Sequence, residues 1–72
     1  MNLYITTTGN DEGGIRTLFR GTDEAKATAA ADNHELGSYE WLLITKYTLR
    51  NGEFVDPTPV FDRDSFPVSA RM

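Results

Sequence analysis

Residues 39–55 read Tyr-Glu-Trp-Leu-Leu-Ile-Thr-Lys-Tyr-Thr-Leu-Arg-Asn-Gly-Glu-Phe-Val, two strand-like runs on either side of Asn51-Gly52. Both central residues of a type I′ turn need positive φ, and Asn followed by Gly tolerates it best. A two-residue loop sets the register: Arg50 faces Glu53, Leu49 faces Phe54, Thr48 faces Val55. Arg50 and Glu53 are then an opposite-charge cross-strand pair. Side chains alternate between the faces of a strand. One face carries Tyr39, Trp41, Leu43, Thr45, Tyr47, Leu49 and Phe54; the other carries Glu40, Leu42, Ile44, Lys46, Thr48 and Val55. From Trp41 to Ile44 both faces are apolar, the pattern of a central strand covered on both sides.

The rest of the pattern predicts one strand over residues 2–8, rich in strand-favouring Tyr, Ile and Thr. Leu3, Ile5 and Thr7 point one way and Tyr4, Thr6 and Thr8 the other. Residues 9–14, Gly-Asn-Asp-Glu-Gly-Gly, form a loop. A second strand follows over 15–20, with Ile15, Thr17 and Phe19 on one face and Arg16, Leu18 and Arg20 opposite. A helix then starts with Thr22 as N-cap, and Asp23 and Glu24 complement its positive end. It runs to Glu35 with Ala25, Ala29 and Leu36 on the buried stripe, Thr28 or Ala30 beside it, and Gly37 closing it. Asp56-Pro57-Thr58-Pro59 ends the fourth strand or places it at a sheet edge, because proline cannot donate to the ladder. Val60-Phe61 extend that edge or pack back as a strap. Residues 62–68 read as irregular, with Phe61 and Phe66 as anchors, and 69–72 as frayed.

The expectation is an α+β domain of ββαββ order, one helix packed on a mainly antiparallel four-stranded sheet. Residues 1–72 form one domain, with an ordered core over 2–61 and a tail over 62–72. One helix covers one face of such a sheet. Apolar area on the other face must meet the tail, a second copy or a partner.

Composition narrows the function. The 72 residues include no cysteine, which excludes disulfides, thiolate nucleophiles and cysteine zinc sites. The N-terminus lacks the basic and apolar regions of a signal peptide, and no run is long enough to span a bilayer. A cytoplasmic setting without membrane contact is expected. Eleven acids against seven basic residues give a formal net charge of −4, which repels nucleic acid and anionic membrane at long range.

No catalytic constellation emerges. His34 is the single histidine, placed near a helix C-terminus where the dipole explains it. No serine sits in a nucleophile motif. The glycines lack the Lys-Ser/Thr ending of a phosphate loop. Asp62-x-Asp64 begins like a calcium loop but lacks its glycine and closing Glu. No enzyme, metal or cofactor is implied. For nucleic acid, the candidate surface is Arg16, Arg20, Lys46 and Arg50 beside Tyr4, a stacking platform if these share a face. For protein binding, the candidates are Tyr39, Trp41 and Tyr47, with Phe54, all of types enriched at interface hot spots. Which face the helix covers decides which patch is exposed. If it covers Leu42 and Ile44, the aromatic face becomes the interface; if it covers Trp41 and Leu43, then Leu42, Ile44, Lys46, Arg16 and Arg20 become the exposed patch.

A strand hairpin, the helix start Gly-Thr-Asp-Glu-Ala-Lys-Ala and the hairpin Leu-Arg-Asn-Gly-Glu-Phe-Val together resemble small phage-encoded accessory proteins. Some anti-CRISPR proteins share this strand–strand–helix–strand–strand plan. The resemblance spans residues 2–56 and is one of architecture. It implies stoichiometric inhibition or redirection of a host protein or complex in the host cytoplasm, without catalysis. Contacts to a basic partner surface would then fall to Asp11, Glu12, Asp23, Glu24, Asp56, Asp62 and Asp64. Self-association as a homodimer is the remaining expectation.

Overall fold

The computed structural model describes residues 1–65. The chain forms β1 (Asn2–Asn10), β2 (Ile15–Gly21), α1 (Glu24–Asp32), β3 (Glu40–Arg50) and β4 (Glu53–Asp64). The expected ββαββ order is present. The four strands make one sheet in the order β2-β1-β3-β4, and every neighbouring pair is antiparallel. The strands β2 and β3 both flank β1 and run parallel to each other. The helix therefore carries the chain across β1, the crossover a parallel relationship requires.

The Asn51-Gly52 turn forms as the pattern predicts, with φ of 53° and 82°. Arg50 pairs with Glu53, Leu49 with Phe54 and Thr48 with Val55. The guanidinium of Arg50, however, pairs with Asp56 at 2.9 Å, not with Glu53 as expected. Beyond Val55 the strand does not stop at the prolines. It continues to Asp64 as the edge strand, with irregularities between Ile44 and Thr45 and between Lys46 and Thr48 of its partner. Each inserts one extra residue into β4, and bulges and prolines are how an edge strand resists further pairing. Asp62 to Asp64, expected to be irregular, thus belong to the sheet. The expected anchoring by Phe66, and any path of the tail across the sheet, lie outside the described residues.

The helix is shorter than its alanine content suggests. Its N-cap is Asp23, not Thr22: the Asp23 carboxylate accepts the Lys26 backbone N–H at 3.3 Å. It ends at Asn33, whose N–H donates to the Ala29 carbonyl at 3.0 Å. The buried stripe is Ala27 and Ala31, while Ala25 and Ala29 face solvent. These two alanines meet Tyr4, Leu42 and Ile44, with Leu18, Phe19 and Leu36 packed at the margin. Burying Leu42 and Ile44 stabilises the fold by about 1.5–3 kcal/mol each. Thr6, fully buried, donates its hydroxyl to the Ala27 carbonyl at 3.0 Å. The helix lies close on the sheet because its buried stripe contributes only the methyls of Ala27 and Ala31.

Candidate functional site

The helix covers the Leu42 and Ile44 side of the sheet, and among the described residues no helix lies on the other side. Strand register builds that open face row by row. Ile15, Gly9, Trp41 and Asp64 lie side by side, then Thr17, Thr7, Leu43 and Asp62, then Arg20, Ile5, Thr45 and Pro59. Leu3 and Tyr47 pair in the next row, and Leu49 and Phe54 close it near the turn. An apolar band thus crosses the face from Ile15 to Phe54. Ile15 is 71% exposed and Phe54 40%, Leu3 is buried, and Ile5, Trp41, Leu43 and Tyr47 are half-buried. The flanks are polar, with Arg20 on the β2 edge and Asp62 and Asp64 on the β4 edge.

The expected protein-binding residues divide. Trp41 and Tyr47 sit on the open face. Tyr39 does not continue their alternation: it precedes β3, with φ of 61°, and its carbonyl accepts the Asp11 N–H at 3.2 Å. Asp11 and Glu12 occupy the β1–β2 turn. Asp23 and Glu24 begin the helix, at the opposite end of the sheet, because β2 runs back from that turn. Asp56 lies near the β3–β4 turn, and Asp62 and Asp64 near Trp41. The expected acidic contact set is therefore spread around the molecule.

One bulge removes Arg20 from the cationic platform, Arg50 pairs with Asp56, and Tyr4, the expected stacking ring, is buried in the core. The register passes from Thr6–Phe19 to Thr7–Thr17, which inserts Leu18 as an extra residue. Phe19 consequently joins the helix side while Thr17 and Ile15 remain on the open side, so these three do not share a face. Arg20, opposite Ile5, lies on the open face. Arg16 pairs with Thr8, and Lys46 with Tyr4, on the helix side. Arg16 and Arg20 therefore face opposite ways, contrary to the sequence expectation.

On the helix side the polar groups serve architecture. The Thr8 hydroxyl donates to the Trp41 carbonyl at 2.8 Å and lies 3.4 Å from Nε2 of His34. Its single proton being used, it accepts from an Nε2–H of the imidazole. Arg63 reaches from β4 to the end of α1, donating through Nη2 to the carbonyls of Ala31 at 3.2 Å and His34 at 3.0 Å. A cation here meets the negative end of the helix. The sequence places no basic residue in the last helical turn, so only the pairing of β4 reveals this role. A groove of about 160 Å³ between α1 and β4 is lined by Glu24, Thr28, Ala31, Ile44, Val60 and Phe61, among others. Among the described residues, no group of three or more His, Cys, Asp or Glu side chains is placed to hold a metal ion. No helix among them is long and apolar enough to cross a membrane.

No family model, curated protein or solved structure matches the chain. The functional reading rests on the geometry of the open face.

Proposed function

We propose that the chain is a non-enzymatic protein-binding module that acts by stoichiometric contact through the open face of its sheet. One observation carries this reading. The helix sits on Leu42 and Ile44, and the band Ile5, Trp41, Leu43, Tyr47, Leu49 and Phe54 lies on the side it leaves bare. A contiguous apolar surface rimmed by Arg20, Asp62 and Asp64 has the anatomy of a protein interface, apolar at the centre and polar at the edge. Nucleic-acid binding is the weaker reading, because Arg16 and Arg20 lie on opposite sides and the net charge is −4.

Photo-crosslinking tests the proposal. A benzoylphenylalanine replaces Tyr47 on the open face in one sample and exposed Ala25 on the helix in another. The expected result is a discrete protein adduct from position 47 that survives nuclease and is missing from position 25. Adducts to nucleic acid, or equal labelling from both positions, would overturn it.

A further inference from the structure

We infer that the surface received by the open face is that of a second copy of this chain, the two sheets packing face to face about a twofold axis parallel to the strands. The inference rests on the reading of this face as a protein interface. Three features of the face select that occupant and that axis.

The first is charge. Arg20 lies on the β2 edge of the open face and Asp62 on the β4 edge, with Asp64 one pair further along. A twofold axis along the strands carries the β2 edge of each copy over the β4 edge of the other. Arg20 then lies one row, roughly 7 Å along the strand, from the partner's Asp62 position, within reach of an arginine side chain. Both edges gain such a pair, because a twofold contact is made twice. An in-plane axis across the strands would instead set β2 over β2 and β4 over β4, placing acids against acids.

The second is shape. The same axis lays β3 of each copy over β1 of the other. Leu43 then meets Thr7, Thr45 meets Ile5 and Tyr47 meets Leu3, since these are row neighbours within one sheet. In the first two pairs a larger side chain falls on a smaller one, the alternation by which facing layers interdigitate about 10 Å apart.

The third is size. Four strands at about 4.8 Å spacing and about 30 Å of strand length give on the order of 500–600 Å² per copy. Twice that reaches the roughly 1,000 Å² a specific interface needs. A small two-layer domain thereby becomes a four-layer particle with both sheet faces covered.

Sedimentation equilibrium of the full chain, from micromolar to submillimolar concentration, tests the inference. The expected mass rises to twice the 8.1 kDa chain mass. Leu43→Glu returns it to the monomer, weakening association by roughly a hundredfold or more. Arg20→Glu weakens it by roughly tenfold, and the triple change Arg20→Glu, Asp62→Lys, Asp64→Lys restores it. Isotope-filtered NMR on a mixture of labelled and unlabelled wild-type chains provides a readout that needs no variant, with contacts expected between Leu43 and Thr7 of different copies. A monomer at every concentration, or a dimer that Leu43→Glu leaves intact, overturns the inference. A monomer that still crosslinks to another protein through position 47 removes the second copy and leaves the binding function standing. A monomer without such an adduct removes both.

Discussion

The indole of Trp41 lies across Gly9 of the neighbouring strand, on the open side of the sheet. A Cβ placed on Gly9 would come within 2.6 Å of Cε2 of that ring and within 2.6 Å of the Gly14 carbonyl oxygen. The residue pair is directly opposed in the β1–β3 ladder. An aromatic ring over a strand glycine replaces the packing the glycine lacks. Trp41 is thus part of the fold and part of the exposed band at once.

Gly9→Ala is expected to cost about 1–3 kcal/mol, because the new methyl meets backbone on one side and the ring on the other. Urea unfolding followed by circular dichroism measures it. Unchanged stability would mean that Trp41 does not rest there. Trp41→Ala loses the cover but leaves the backbone fitting. Its cost should fall below the ~3–5 kcal/mol of a fully buried tryptophan, because the ring is only half-buried.

Arg63 joins the last strand to the end of the helix through two carbonyls. Arg63→Ala should destabilise the fold by about 1–2 kcal/mol, and Arg63→Lys should recover only part of this, since the lysine side chain is one atom shorter and its ammonium falls short of the Nη2 position. The local effect should exceed the global one. Amide exchange of Asn33 and His34, whose N–H groups close the helix end on Ala29 and Ala31, should accelerate first. Equal acceleration across all strands would refute a capping role.

The order of elements along the chain and the turn position were legible because they depend on local chemistry. Asn51-Gly52 names its turn, and the turn fixes the Leu49–Phe54 register on either side. The choice of covered face was not legible, since Leu42/Ile44 and Trp41/Leu43 are equally apolar. What separates them lies across the sheet: Tyr4 and Thr6 of β1 share the side of Leu42 and Ile44, and the helix binds through Thr6. The cationic set failed for a related reason. Alternation assumes an unbroken strand, and the extra residue Leu18 shifts the phase between Arg16 and Arg20. Arg63 was missed because its partners stand about thirty positions away in sequence, beyond any local rule.

The turn itself offers a quantitative check. Gly52 adopts a φ of 82° with open space around its Cα, so backbone strain alone opposes a side chain. Gly52→Ala should cost about 1–2 kcal/mol. In a domain of this size that lowers Tm by roughly 4–8 °C per kcal/mol, read by thermal melting. Asn51→Gly, in contrast, should leave Tm nearly unchanged, because glycine accepts the positive φ without penalty.

The phase of the helix gives the most discriminating comparison. The helix holds five chemically identical alanines, at positions 25, 27, 29, 30 and 31, and an apolar stripe through 25 and 29 is as consistent with composition as one through 27 and 31. The structure buries Ala27 and Ala31 completely or nearly so, at 0% and 1% exposure. It also fixes the first of them by the Thr6 hydroxyl on its carbonyl. Ala27→Leu must therefore push the helix off the sheet and should cost about 1–3 kcal/mol or more. Ala29→Leu projects into solvent and should change stability by less than about 0.5 kcal/mol. Chemical denaturation of the two variants side by side measures the difference. If the costs were reversed, the helix would be rotated, Leu42 and Ile44 would lose their cover, and the open face would need to be reassigned.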